Sequence, residues 1–316
     1  MVLLGAKLAD DLRRIVLNLS IKEILVNGSR LVFAHRKFVL LFWITNIVFA
    51  FALSLPLFSV LQHGLANSLI NSNLSLGFDY LWYVQFRHIY RNSLDAIPIL
   101  LYAFAGVYVL VQLFYLGGLL SVYTNSKKNH VVDFFYGSVK YFIRFLKIAV
   151  VVGALYFAAI SINVLIDYGI KQIFLEKENA AVEFAVQIFR YLFFLLLISI
   201  INIISDYTKI AIVVIDSTKL FRSLYKSFQF IKKNFVKVMT VYFIMLVFVA
   251  IGATIYNVVD SFLPKKPVYF LLLTFLIQQL LIIFRVLIRM YFYSTELLIF
   301  TDGEAQTVSP AFEEIS

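Results

Sequence analysis

Six long apolar segments alternate with shorter polar ones along the chain. A helix needs about 20 apolar residues to cross a hydrocarbon core about 30 Å thick, and each segment reaches that length. The residues do not follow the strict alternation of a membrane β-barrel strand. The pattern predicts spans at 38–62, 96–123, 146–168, 184–208, 236–262 and 268–299. The fourth and sixth segments exceed one crossing, so we expect those helices to tilt or to continue beyond the membrane.

A second pattern precedes the first, third and fifth spans, where apolar residues recur at helical spacing between charged ones. This pattern is typical of an amphipathic helix that lies in the membrane interface. The apolar stripes are Ile21, Ile24, Leu25 and Leu31 in 21–36; Val131, Phe135, Val139, Phe142 and Leu146 in 131–146; and Leu220, Leu224, Phe228, Ile231 and Phe235 in 217–235. Ser20 and Glu23 predict a capping box at the start of the first segment. We expect each stripe to face acyl chains or the helix bundle.

The three amphipathic segments belong to a predicted repeat of three helical hairpins. Each segment ends in basic residues and a phenylalanine before its span, and Phe38, Phe145 and Phe235 align. The three returning spans also end alike, in LGGLLSVYTNS, DYTKIAIVVIDS and STELLIFTDGE. Parallel repeats of this kind predict a pseudo-three-fold arrangement. The alternative is that any amphipathic helix entering a membrane produces the same pattern.

These elements predict an all-α integral membrane protein with a single polytopic domain at 1–302. Its approximate repeats cover 20–126, 127–216 and 217–302. The segment 303–316 contains acidic residues without periodicity, which predicts a flexible acidic tail.

Basic residues are distributed unequally between the two sides of this topology. The chain carries 28 Lys and Arg against 18 Asp and Glu, a net charge of +10. The N-terminal segment and the connections 124–147 and 209–237 hold 19 of the basic residues, whereas the other connections hold 6. Cytoplasmic loops are the basic ones, so we expect both termini in the cytoplasm. The excess also predicts anionic membrane lipids as partners, and no nucleic acid.

Composition and motifs argue against an enzyme. Hydrophobic residues make up 62% of the chain, and it has no cysteine for disulfides or thiolate metal sites. The sequence has no phosphate-binding glycine loop, no nucleophile elbow and no paired-histidine zinc motif. Its histidines, His35, His63, His88 and His130, are divided between the two predicted sides. We therefore predict no catalytic residue, no cofactor and no metal site.

Five charged residues at the predicted cytoplasmic end of the bundle form the candidate polar cluster. Asp206 and Lys209 lie near the end of the fourth helix, and Arg285, Arg289 and Glu296 share one face of the sixth. Charges at membrane depth are costly unless they are paired or face a cavity, so we expect the arginines to pair with an acid, first Asp206. One interpretation is a polar vestibule that binds an anionic lipid head or a small anion. The other is that both helices have left the hydrocarbon and the charges are solvated.

One stretch near the end of the fourth helix resembles a known family. DYTKI at 206–210, followed by VVIDSTKLFRSLYKSFQFIKKNF, is similar to a pattern in poorly characterised bacterial six-span membrane proteins. It also resembles the membrane domain attached to some glycerophosphodiester phosphodiesterases. The resemblance covers 200–245 best, and Thr208 and Lys209 replace the alanine and arginine of the family pattern. It implies a protein of the bacterial cytoplasmic membrane and implies no reaction.

Together these patterns predict a non-enzymatic integral membrane protein. We expect it to act as a lipid-interacting scaffold or as a subunit of a membrane assembly with a protein partner in the membrane. The alternative is a transporter or channel-like protein for an anionic or lipidic substrate. A continuous polar path through the bundle would favour transport, and a bundle sealed by apolar side chains would favour the scaffold.

Overall fold

The computed structural model describes residues 19–65, 79–124, 130–174, 180–263 and 268–313. Within these ranges the chain forms nine helices and no strand, which confirms the all-α fold class. The helices are α1 (Ile21–Ala34), α2 (Lys37–Leu65), α3 (Tyr80–Ile89), α4 (Arg91–Thr124), α5 (His130–Phe174), α6 (Ala180–Ile215), α7 (Leu220–Lys233), α8 (Phe235–Phe262) and α9 (Val268–Glu313).

Six of these helices are long and apolar enough to cross a membrane, namely α2, α4, α5, α6, α8 and α9. This confirms the number of predicted spans. α6 has 36 residues and α9 has 46, so the helical continuation expected for the fourth and sixth segments is present. At most 17% of the most apolar window of each span is buried. Most side chains in those windows are therefore exposed or only half-buried by the rest of the chain.

α1 begins with the predicted capping box. The backbone N–H of Glu23 donates to Ser20 Oγ at 3.3 Å, and the Ser20 N–H donates to Glu23 Oε2 at 2.8 Å. The hydrogen bond from the Ser20 backbone lowers the pKa of the Glu23 carboxyl. Because the side chains of Ser20 and Glu23 accept hydrogen bonds from each other's backbone N–H groups, local sequence fixes the start of α1.

The second predicted surface segment, 131–146, is not separate from its span. α5 runs without a break for 45 residues, about 67 Å at 1.5 Å per residue. A helix lying flat in the interface would have to change direction near Phe145, so the structure contradicts a separate helix there. In the third copy, α7 ends at Lys233 and its C-cap is Asn234, which is a poor helix former. The matching residue in the second copy is Arg144, a good helix former, and the helix continues through it.

The faces buried by α7 and by the start of α5 differ from the predicted apolar stripes. The buried residues are Ser223, Ser227, Phe230 and Ile231 in α7, and Phe134, Gly137, Ser138, Tyr141 and Phe145 in α5. Of the two predicted stripes, only Ile231 belongs to this set, and Phe135, Val139 and Phe228 are exposed. Small residues let two helices approach closely, which favours the serine and glycine faces over the bulkier stripes.

The chain divides into two compact units. Of the described residues, those within 36–113 form the smaller unit, and those within 19–35 and 114–313 form the larger. The boundary falls inside α4 and not at a predicted repeat boundary. Within the smaller unit, the Tyr108 hydroxyl donates to Asn46 Oδ1 at 2.6 Å, which joins α4 to α2.

The core of the larger unit lies near the C-terminal parts of α4, α6 and α9. Its almost fully buried apolar residues include Leu119, Leu120, Ile203, Ile210, Ala211, Ile299 and Phe300. α5 packs on α6 and α8 packs on α9, and α9 also packs on α6 and α1. These helix parts adjoin the basic connections of the sequence. The core therefore lies at the end that the charge distribution predicts to be cytoplasmic.

α9 extends past the predicted end of the membrane domain. Its last helical residue is Glu313, so most of the segment 303–316 is helical. The flexibility predicted for that segment stays a prediction.

Candidate polar site

α6 brings two members of the candidate polar cluster into direct contact. Lys209 Nζ donates to Asp206 Oδ1 at 2.7 Å, one helical turn away. The side chains are 12% and 25% exposed, respectively. Spacing of three residues puts both groups on one face of the helix. Asp206 thus has an ion-pair partner in Lys209 on its own helix, whereas the sequence predicted an arginine of the sixth helix as its partner.

Glu296 places a carboxyl group in the core beside this pair. It is 4% exposed, and among the described residues its Oε2 has no hydrogen-bond partner. The charges of Asp206 and Lys209 both act on the Glu296 carboxyl group. A buried carboxyl oxygen without a partner loses its hydration without compensation. Burial of the Glu296 carboxyl beside the Asp206–Lys209 pair is therefore energetically costly.

The two arginines of the predicted cluster lie on an exposed stretch of α9. Arg285 and Arg289 are both exposed, and their spacing of four residues puts them on one face. The charge of Arg289 acts on Lys209. The structure thus gathers Asp206, Lys209 and Glu296, with Arg289 at their edge, and leaves Arg285 one turn farther along α9.

Tyr207 belongs to the same region and was missed from the sequence. It is 1% exposed, and its hydroxyl has no hydrogen-bond partner among the described residues. Its ring lies 5.6 Å from that of Phe230 on α7. The field of Glu296 acts on Tyr207, so the two unpartnered groups lie close in space. Nothing in the sequence distinguishes Tyr207 from the other tyrosines of the spans.

A second acid–base contact joins the start of α5 to the end of α6. Asp216 accepts a hydrogen bond from Lys140 Nζ and another from Arg144 Nη1, each at 2.7 Å. Its φ of 51° is left-handed, and the Ser217 N–H donates to the Ile212 carbonyl at 3.2 Å. This geometry is a Schellman end to α6. The hydrogen bond from Lys140, followed by that from Arg144, lowers the pKa of the Asp216 carboxyl.

A corresponding contact joins the start of α8 to α9. Lys237 Nζ lies 2.6 Å from Asp302 Oδ2. Asp216 and Asp302 hold matching positions in the similar endings VVIDS and IFTDG. Neither acid was predicted to be a site residue, although the two similar endings place the acids at matching positions.

Two of the histidines meet in the larger unit. The ring centroids of His35 and His130 lie 4.9 Å apart, and that of Tyr123 lies 5.5 Å from His35. In the part of the chain that the structure describes, no group of three or more His, Asp or Glu is placed to hold a metal ion. The two histidines are 95 positions apart, and no motif in the sequence predicts their contact.

Comparisons of the chain with family models, with curated proteins and with solved structures found no match. The similarity of 206–210 to a bacterial six-span family thus stays a resemblance. The class of the protein follows from its helices. Six helices of this length and apolar character are typical of a multi-pass α-helical membrane protein.

Proposed function

We propose that the chain is a non-enzymatic integral membrane protein that acts as a lipid-interacting scaffold or as a subunit of a membrane assembly. The observation that carries this proposal is the uneven packing of the helices. Core residues concentrate near the ends of α4, α6 and α9, whereas the apolar windows of the spans are almost entirely unburied. Acyl chains solvate apolar side chains, so lipid is the natural partner of those surfaces.

The exposed parts of the spans are rich in aromatic side chains. Phe157, Phe189 and Phe243 are among the large residues that point outward from α5, α6 and α8. Continuous apolar surface of this extent is rare on proteins in water and marks a membrane or protein contact. Both partners of the proposal, membrane lipids and a protein in the membrane, fit such a surface.

The proposal includes the repeat of three hairpins with an amphipathic segment before each. In support, each segment packs near the end of the previous returning helix: the start of α5 on α4, α7 on α6, and α1 on α9. The small residues buried on the segments are Gly28, Gly137 and Ser227. The corresponding residues of the returning helices, each eight positions before the matched Asn125, Asp216 or Asp302, are Gly117, Thr208 and Ser294.

Two of these small-residue contacts are visible in detail. Ser294 Oγ donates to the Gly28 carbonyl at 3.1 Å. A Cβ atom on Gly117 would lie 3.3 Å from the Gly137 carbonyl oxygen. The first segment contacts the last returning helix, so the order of contacts is cyclic. A cyclic order is what a pseudo-three-fold repeat requires.

We place the protein in a bacterial cytoplasmic membrane with both termini in the cytoplasm. The excess of basic residues on one side supports this orientation. The resemblance of 206–210 to a bacterial six-span family supports the membrane. In this orientation the polar core lies at the cytoplasmic ends of the spans, where anionic lipid heads are most abundant.

The alternative is transport of an anionic or lipidic substrate, and the buried polar site favours it. Glu296 and Tyr207 keep unpartnered polar atoms in the core. Ionisable residues within membrane helices often mark substrate or ion pathways. A transport function would use these two residues, whereas a scaffold would use the outer surface of the spans.

One reconstitution experiment separates the two functions. Proteoliposomes containing fluorescent phosphatidylglycerol are treated with a membrane-impermeant reductant that bleaches only outer-leaflet lipid. The scaffold proposal predicts bleaching of the same extent as in protein-free liposomes, together with phospholipid retained by the purified protein in native mass spectrometry. Complete bleaching that E296Q abolishes would reject the scaffold and establish lipid transport.

A further inference from the structure

α7 exposes a ridge of aromatic side chains. Phe221, Tyr225 and Phe228 are 77%, 63% and 54% exposed. Their spacings of four and three residues place them on one face of the helix. Three large aromatic residues on one short helix form a concentrated apolar surface that water does not favour.

The opposite face of α7 is anchored in the core, so the ridge is held outward. The Phe230 ring lies 5.6 Å from Tyr207 and 4.9 Å from Phe300. Ser223 and Ser227 are buried, and their hydroxyls donate to carbonyls of α7 or its N-cap at 3.1 and 2.9 Å. Turning the ridge inward would remove Phe230 from its contacts and force three bulky rings against small residues.

Basic residues flank the ridge. Arg222, Lys232 and Lys233 are exposed, and the ion pairs seen between described residues include none of the three. The start of α5 differs, because its Lys140 and Arg144 both bind Asp216. Of these two segments, α7 therefore presents the greater uncompensated positive charge.

We propose that this face of α7 docks on the anionic phospholipids of the leaflet that surrounds the spans. α7 connects α6 to α8, two helices long enough to cross a membrane, so it lies at a membrane boundary. The aromatic ridge enters the acyl and glycerol region, and the basic flank binds lipid phosphates. The inference deepens the proposed lipid interaction and rests on it, because it assigns headgroup recognition to one helix.

Fluorescence quenching by brominated lipid tests the docking. The two tryptophans, Trp43 and Trp82, are replaced by phenylalanine, and F228W supplies a single reporter on the ridge. The full chain is reconstituted with phosphatidylcholine and phosphatidylglycerol, either of which carries bromine on its acyl chains. We expect strong quenching at F228W, with phosphatidylglycerol bound roughly tenfold more tightly than phosphatidylcholine. Q229W, one position towards the basic flank, should be quenched less.

Charge removal on α7 should abolish the lipid preference. R222Q/K232Q/K233Q is expected to bind both lipids equally at the reporter. The matched variant K22Q/R30Q/K147Q removes three exposed basic residues from α1 and α5 and should keep the preference. If the first variant does not fold, about 1 M salt should remove the preference in the unaltered α7, since screening then acts within about 3 Å.

Two results would overturn the inference. Absence of quenching at F228W would show that the ridge does not meet acyl chains. Equal quenching by the two lipids would show that the basic flank does not select anionic heads. Neither result depends on lipid transport, because bleaching of outer-leaflet lipid tests the proposed function separately from the position of α7.

Discussion

Lys237 Nζ donates to Asp302 Oδ2 at 2.6 Å and joins the first turn of α8 to α9. Asp302 is 1% exposed, and it also accepts from the Leu19 backbone N–H at 3.3 Å. One buried carboxylate thus ties together the entrance to α1, the start of α8 and a late turn of α9. The two hairpin helices and the first segment meet at this residue.

Removal of the Asp302 carboxylate should be strongly destabilising. D302A leaves the ammonium of Lys237 without its partner, and we expect a loss of about 3 kcal/mol in the free energy of unfolding. K237M should cost more, because it strands the Asp302 carboxylate, which is 1% exposed, whereas the ammonium that D302A leaves behind is 22% exposed and is partly solvated by water. Reversible unfolding in mixed detergent micelles measures both. The double variant should lose less than the sum of the single losses, and strict additivity would show that the pair is not coupled.

The Asp216 contacts should make stability depend on pH. Lys140 and Arg144 lower the pKa of the Asp216 carboxyl, so the ion pairs stabilise the fold above the usual aspartate pKa. This contribution is lost as the pH falls through the lowered pKa. D216N removes the charge, and asparagine tolerates the left-handed backbone. The melting temperatures of the parent and D216N should differ at pH 7 and converge as the pH falls below the usual aspartate pKa of about 3.9, and a constant difference would contradict the assignment.

Glycine contacts between α4 and α5 should be more sensitive than glycines elsewhere. A Cβ atom on Gly118 would lie 2.5 Å from the Phe134 carbonyl oxygen, so backbone would have to shift. We expect G118A to destabilise the protein by about 1–3 kcal/mol. G153A is the control, since nothing lies within 4 Å of its Cβ position and alanine is the better helix former. Thermal unfolding of the two variants would refute the close packing if both were equally stable.

The Asp206–Lys209 pair should be coupled. D206N and K209M each leave a charged partner in a partly buried site, and we expect each to lower stability by about 1–2 kcal/mol. The double variant should be less destabilised than the sum. Unfolding of the four proteins in one detergent completes the cycle. If neither single variant changes stability, the two charges are solvated and the polar site loses its structural basis.

The spans could be predicted from the sequence because the main requirement of a membrane-crossing helix is a long run of apolar residues. The start of α1 was readable for a similar reason, since Ser20 and Glu23 complete the capping box between themselves. The helix breaks at Asn234 between α7 and α8 but continues through the matching Arg144, although the two segments have similar patterns. Similarity of pattern therefore concealed a difference in helix continuity.

The polar site was only partly accessible from sequence. Asp206 and Lys209 share a helical face by spacing. Glu296 and Arg289 were candidates because a charge at membrane depth is energetically costly. Arg285 and Glu296 share one face of α9 by spacing, yet Arg285 is exposed and Glu296 is buried. The difference depends on which neighbouring helices cover each level of α9, as α1 does at Gly28 and Ser294, and such contacts join residues far apart in the chain.

Sided labelling tests most directly the central claim, a multi-pass protein with its polar core at the cytoplasmic ends of the spans. The chain has no cysteine, so T218C before α7 and S261C near the end of α8 each give one reactive site. In intact bacterial spheroplasts, a membrane-impermeant maleimide should label S261C at once and T218C only after the membrane is opened. Labelling of T218C alone would reverse the orientation, and immediate labelling of both would contradict a membrane crossing by α8.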